Sequence, residues 1–335
     1  MSAERSLEPA TSVARVCRQG RRVRQEDAAA YLVHEDWVFL VVADGLGGLS
    51  NGGFAARRAC EVFLQAAARV ASRGGNPTKT LEDAAFLVNG LLLSEKKTRH
   101  WPDLGTTVAM ALYRPGKITV AHAGDSRVYI VAADDVQLLT RDHAPAQDFV
   151  DQGVAASLSE ARNLVGSGIT CCLGDEEFPG LEVREVELGS GEGFLLVLTT
   201  DGAHEFLQPA DFLHQATGCD SVAALVDRLA GLAWQRGSED NITVLAAEIG
   251  AFPRSRVSAV PVWEGEASGV FRGAALLKRW LTAFLLGLLL GGLAGLASQR
   301  LGFSFKEKRP PTGEVGTLPT RPLSSSPSVS AYEDR

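Results

Sequence analysis

Trp37-Val38-Phe39-Leu40-Val41-Val42-Ala43-Asp44-Gly45 is an unbroken apolar run that stops on an aspartate followed at once by glycine. A short run rich in β-branched and aromatic residues reads as a strand buried on both faces. The same grammar recurs in KITVAHAGD (residues 117 to 125), SRVYIVAA (126 to 133), FLLVLTTD (194 to 201) and NITVLAAEI (241 to 249). Turn chemistry at Arg114-Pro115-Gly116 joins two strands as a hairpin, so the sheets are expected to be largely antiparallel. Helical spacing appears in three stretches. Residues 53 to 72 place Val62, Phe63, Ala66 and Val70 on one side, residues 80 to 97 open on Thr80-x-x-Asp83 as a near capping box, and residues 221 to 235 repeat the amphipathic pattern. The chain reads as α+β.

With 335 residues and 45% hydrophobic content, the sequence supports a substantial core. A formal charge of -7 argues against a broad nucleic-acid surface, which demands clustered positive charge. Its five cysteines, Cys17, Cys60, Cys171, Cys172 and Cys219, show no C-x-x-C spacing and sit among apolar neighbours, as reduced thiols in a cytosol do. The adjacent Cys171 and Cys172 read as ordinary packing residues.

The expected organisation is a flexible N-terminus (1–10), a folded domain (11–250), a Pro-containing linker (251–273), a transmembrane helix (274–299) and a disordered Pro/Ser/Thr-rich tail (300–335). The span rests on WLTAFLLGLLLGGLAGLASQR, residues 280 to 300, uncharged until its last residue and just long enough to cross a bilayer. Flanking positive charges fall on both sides and leave orientation open. Residues 1 to 10 carry no apolar signal segment, so the domain is expected on the cytoplasmic face of the plasma (inner) membrane. Gly287, Gly291 and Gly295 share one helix face, a small-residue pattern that suits pairing of two spanning helices into a homodimer; glycine is also simply frequent in such helices.

The chemistry is concentrated in the acidic residues. Asp44, Asp125 and Asp201 each end an apolar run, and Asp240 begins one. In antiparallel sheets, ends of some strands and starts of others share an edge, so four carboxylates far apart in sequence can converge. A turn residue is the ordinary reading of any one of them. As a set they require cations, and oxygen ligands without His or Cys select hard ions such as Mg²⁺ or Mn²⁺.

Those residues lie in fragments whose order resembles the PPM phosphatases, the protein phosphatase 2C type. The fragments are Gly20-Arg21-Arg22-Val23-Arg24-Gln25-Glu26-Asp27-Ala28, Asp44-Gly45-Leu46-Gly47-Gly48, Gly105-Thr106-Thr107, Ala123-Gly124-Asp125-Ser126-Arg127, Leu139-Thr140-Arg141-Asp142-His143, Asp201-Gly202 and Asp240-Asn241-Ile242-Thr243. Each is weak alone; the ordered set, spanning about residues 12 to 249, is specific. The resemblance implies a four-layer α-β-β-α sandwich of two mainly antiparallel sheets flanked by helices. It implies Asp44 as a carboxylate bridging two metals, the Gly45 carbonyl on one and Asp201 and Asp240 on the other. Glu26 would act through metal-bound water, Asp27 would orient metal waters, and Asp125 with Asp201 would hold a third, weaker ion. Arg22 matches the arginine that grips phosphate, a role suited to a planar guanidinium. Alternation puts Arg24 on the same face as Arg22, where it would assist substrate approach; a solvated basic strand is the plainer reading of it.

The implied reaction is hydrolysis of phosphoserine and phosphothreonine in proteins by a metal-bridging hydroxide attacking phosphorus in line, opposing Ser/Thr kinases at the membrane. Leu46 stands where eukaryotic relatives have histidine, as in the bacterial D-G-x-G-G branch, so the general acid is left to a metal water or to His143; His143 reads foremost as a hydrogen-bonded turn residue. His34, His100, His122, His204 and His214 read as packing or surface residues. Residues 144 to 174 resemble the flap beside the active site. The rival reading is a catalytically weak or inactive phosphoprotein-binding module, which loss of Asp44, Asp201 or Asp240 would have favoured.

Overall fold

Alternation along the apolar runs decides which layer each residue fills. In strand β3 (Trp37–Ala43), Phe39, Val41 and Ala43 face a helical layer, and Val38, Leu40 and Val42 face a second sheet. The computed structural model describes residues 12–254 apart from 36, 47–50 and 189–192. One sheet runs, in spatial order, β1 (Ser12–Arg18), β12 (Ile242–Ile249), β11 (Phe194–Thr199), β8 (Arg127–Val131) and β9 (Val136–Leu138). The other runs β10 (Glu182–Glu187), β7 (Lys117–Ala123), β6 (Val108–Arg114), β3 and β2 (Ala28–His34). A short ribbon pairs β4 (Gly45–Leu46) with β5 (Gly105–Thr106). All these pairings are antiparallel, as the hairpin at Pro115 predicts.

Helices α1 (Gly52–Arg73) and α2 (Pro77–Arg99) cover the outer face of the β3 sheet, with Phe63, Ala59 and Leu92 packed on Phe39 and Val41. On the other side, α6 (Pro209–Thr217) and α7 (Val222–Gln235) cover the β12 sheet with Phe212, Leu225 and Leu229. Between the sheets lie Leu40, Val42, Leu196, Leu198 and Leu245. The result is the four-layer sandwich. Burying each such side chain contributes about 1.5–3 kcal/mol. Shorter helices α3 (Pro145–Asp151), α4 (Leu158–Val165) and α5 (Asp201–His204) lie in the connections.

Several details differ from the sequence reading. Helix α2 begins before Thr80, because Pro77 presets the first turn and the Asn76 side chain accepts from Lys79 N–H at 3.2 Å; Thr80 bonds back to the Asn76 carbonyl instead. Strands β1 and β10 carry Arg15, Arg18, Glu182 and Glu185 in exposed or half-exposed positions; each lies at a sheet edge, where apolar patterning is weak. The fold also continues past Gly250, since Phe252 is buried against α7 and Arg254 pairs with Glu248 at 2.6 Å. The five cysteines are all free. Among the described residues no helix is long and apolar enough to cross a membrane. The span expected at 274–299, its three glycines and the tail lie outside those residues.

Arg127, at the start of β8, forks onto Asp142 with bonds of 2.8 and 2.7 Å, and Asp142 is almost wholly buried. The pair ties the sheet to the segment that carries His143. Asp142→Asn, which strands the guanidinium without its counter-charge, is expected to lower urea-unfolding stability by about 3–5 kcal/mol; an unchanged midpoint would remove this tie from the fold.

Candidate metal centre and active site

The aspartates meet where both sheets end on the same side of the sandwich. Asp44, just past β3, has its backbone fixed at both ends: its N–H donates to Thr107 Oγ1 at 3.1 Å, and its carbonyl accepts from Thr107 N–H at 2.9 Å and Thr106 Oγ1 at 2.8 Å. Gly45 lies flush on the first turn of α1, so a Cβ there would stand 2.2 Å from the Gly52 carbonyl. That close approach explains why glycine follows the aspartate.

From the other sheet come Asp201, opening α5 after β11, and Asp240, just before β12. Asn241 holds this corner together. Its side-chain oxygen accepts from Glu26 N–H at 2.7 Å, and its amide donates to the Gln19 and Arg24 carbonyls at 2.7 and 2.9 Å. The arginine-bearing loop is thereby tied to β12. Gly20, at a positive φ of 63°, packs so closely on the Asp240 carbonyl that no side chain fits.

Asp27 joins the sheets directly, accepting from Thr200 Oγ1 at 2.9 Å. Asp125 follows β7 and is buried, its carbonyl accepting from His204 Nε2 at 3.1 Å. The structure therefore brings Asp27, Asp44, Asp125, Asp201 and Asp240 into one electrostatic neighbourhood. Burial, then the Asp201, Asp27 and Asp125 charges, drives the Asp44 carboxyl well above its usual range. Burial first, with Asp201 and Asp240 behind it, pushes Asp27 up to about 7 against the hydrogen bonds from Thr243 and Thr200. Asp125 is pushed to about 7 by burial and then by Asp201 and Asp142, and Asp201 is raised by burial and Asp240. Glu26 Oε1 is buried without a hydrogen-bond partner. Excess buried carboxylate and an orphaned acceptor, with no His or Cys side chain among these groups, fit hard divalent cations.

Arg22 turns its guanidinium onto Asp240 at 2.6 Å, with its side chain more than half exposed. Beside this pair, Arg22, Asp201, Gly202, Glu205, Phe206, Gly237, Glu239 and Asp240 line a cavity of about 360 Å³. Residues 144 to 174 form α3 and α4 over a small apolar core of their own. Arg162 of α4 reaches Glu205 at 2.6 Å. His143 is hydrogen-bonded, as read from sequence, though in an extended connection and not a turn: Gly124 N–H donates to its Nδ1 at 3.3 Å and its Nε2 faces Glu182. Sequence reasoning missed the stapling roles of Asn241 and Thr200, and it gave His122 and Glu182 no part. Residues that act through cross-strand neighbours leave no local signal.

A family model described as Protein phosphatase 2C matches residues 18–240. The chain belongs to the protein phosphatase 2C family. It is 28% identical over 239 residues to the serine/threonine protein phosphatase PstP of Mycobacterium tuberculosis, covering 69% of this chain and 43% of that protein. It therefore spans less than half the length of that relative. The serine/threonine phosphatase stp of Listeria innocua is 25% identical over 229 residues, covering 65% of this chain and 86% of that one. In structure, the catalytic domain of PstP in complex with two manganese ions superposes with a TM-score of 0.61 at 24% identity, over 72% of this chain and 98% of that domain.

Groups whose pKa is raised on folding stabilise the protein fully below their unfolded values near 4, and that stability is lost as pH rises through about 7. In chelator, the melting temperature is expected to fall as pH goes from 5 to 8. Asp44→Asn, by relieving one repulsion, should raise it at pH 8 by about 2–4 °C, the equivalent of about 1 kcal/mol. A melting temperature that is flat with pH and lowered by the substitution would show that the carboxylates do not repel.

Proposed function

We propose that this chain is a metal-dependent protein serine/threonine phosphatase. The observation that carries this reading is the set of carboxylates at the shared end of two sheets, with the pKa values of Asp27, Asp44, Asp125 and Asp201 pushed up first by burial and the half-buried Asp240 beside them, on a chain of the phosphatase 2C family. Asp44, Asp201, Asp240 and the Gly45 carbonyl would hold two Mn²⁺ or Mg²⁺ ions; Glu26 would act through water, Asp27 would orient waters, and Asp125 with Asp201 would take a third. When bound, the ions supply a nucleophilic water of lowered pKa and neutralise charge on the phosphoryl oxygens.

The chain's own residues do the rest. Arg22 and Asp240 form a solvent-exposed pair of the kind worth about 0–1 kcal/mol, so it is easily re-partitioned. With a cation bound, Asp240 would turn to it and Arg22 would be free to fork onto the phosphate. Asn241 keeps the Arg22 loop in register with Asp240 through its bonds to Gln19, Arg24 and Glu26. The cavity beside Arg22 admits the residue that bears the phosphate. His143 has both ring nitrogens engaged, so protonation of the leaving alkoxide falls to water. The substrates are phosphoserine and phosphothreonine proteins, in opposition to Ser/Thr kinases. The uncharged segment at 280–299 supports attachment to a membrane.

Phosphate release from a phosphothreonine peptide should require Mn²⁺ or Mg²⁺, vanish with EDTA, and drop at least about 100-fold in Asp201→Asn. Arg22→Ala should lose about 10–100-fold in kcat/KM, equivalent to one charge-assisted hydrogen-bonding group. Activity indifferent to chelation would overturn the metal assignment. Inactivity on every phosphopeptide would favour the binding-module reading. With the full chain expressed in cells, activity is expected in the membrane fraction, and activity wholly in the supernatant would remove the anchor.

A further inference from the structure

Strands β7 and β10 bring His122 and Glu182 face to face as register partners. The segment after β9 lays the His143 ring over His122, with centroids 4.5 Å apart and planes tilted by 32°. A ring nitrogen of each histidine and a carboxylate oxygen of Glu182 all lie within 4.8 Å of one another. None of these three side chains has a part in the proposed phosphatase chemistry.

Their hydrogen bonds go further than proximity. His122 is buried, and its Nε2 lies 2.7 Å from the Arg141 carbonyl, which can only accept, so Nε2 carries the proton and Nδ1 keeps a lone pair. A second nitrogen donating to a backbone carbonyl is how proteins orient metal-binding histidines. Burial, the largest influence on this ring, holds it neutral and ligand-competent. His143 Nε2 stands 3.2 Å from Glu182 Oε2. Two ligands at about 2.0–2.1 Å from a tetrahedral ion stand roughly 3.3 Å apart, so this pair is already at ligand spacing, and the His122 nitrogen, within 4.8 Å, closes in on loading. Glu182 is half exposed, which leaves an approach and a position for water.

We propose that His122 Nδ1, His143 Nε2 and a Glu182 carboxylate oxygen form a binding site for one divalent ion of the zinc class, with its fourth position taken by water. Two imidazoles and one carboxylate select a borderline ion, whereas the all-oxygen aspartate cluster selects a hard one. Loading moves the His143 proton from Nε2 to Nδ1 and releases the Gly124 N–H contact, which at 3.3 Å is the weakest bond in the set. Gly124 directly precedes Asp125, so the ion is felt at the edge of the aspartate cluster.

The test uses the full chain carrying Asp44→Asn and Asp201→Asn, stripped of metal and titrated with Zn²⁺ alone against a chromophoric chelator. One zinc per chain is expected, with affinity at least about tenfold weaker when Glu182→Gln or His143→Gln is added. Glu182 sits on an exposed edge and its amide isostere keeps the shape, so that variant is informative even where a histidine substitution unfolds the sheet. Cobalt in place of zinc should give the strong visible absorption of a four-coordinate ion. No zinc uptake, or uptake unchanged by Glu182→Gln, would overturn the site. Because the assay reads binding with the aspartate centre disabled, its failure leaves the phosphatase reading intact.

Discussion

Carboxylates of one sign crowded where two sheets end, some buried and some half-buried, cannot all carry charge without a large cost, and the rest of this structure is arranged around that conflict. Asp44 comes from one sheet, Asp201 and Asp240 from the other, and Asp27 bridges them through Thr200. Each backbone is fixed before its carboxyl reaches the cluster: Thr106 and Thr107 hold Asp44, His204 holds Asp125, and Asn241 holds the loop against Asp240. Glycines at 20, 45 and 202 let the backbones approach to distances that a Cβ would forbid. Three helix-and-sheet layers of apolar packing supply the stability against which this repulsion is held.

The strand endings were legible because a buried strand is a contiguous apolar run and its last residue stands out when it is charged. Residues 37 to 43, 117 to 123, 194 to 199 and 242 to 249 fall where the sequence puts them. Edge strands were not legible. Val13 and Val16, like Val183 and Val186, stand three apart with charged side chains between them, a spacing that lacks the period-two alternation of a half-buried strand. The same holds within the site. Aspartates beside glycines announce themselves, whereas Asn241 and Thr200 matter only because a strand from the far end of the chain lies next to them. His122 and Glu182 become partners through the β7–β10 register, and a distance of 60 residues in sequence hides that.

The two donor sets differ in kind. Around Asp44 the ligand atoms are oxygens that repel, and Arg22, one of the cations beside them, is exposed, which makes its hold on Asp240 slight. At His122 the donors are two ring nitrogens and a Glu182 carboxylate oxygen, with the His122 ring already oriented by the Arg141 carbonyl. Softness separates which ion each would take, and residues 122 to 125 connect them along one strand end.

On the proposed reading, Asp44, Asp201 and Asp240 would hold a pair of divalent ions with Asp44 shared between them. Electron paramagnetic resonance of the full chain titrated with Mn²⁺ tests this directly. Two ions about 3.5–4 Å apart are predicted to give an exchange-coupled signal that develops as the first two Mn²⁺ per chain bind and disappears in Asp44→Asn. An uncoupled six-line spectrum at saturation, or a coupled pair that survives Asp44→Asn, would contradict it.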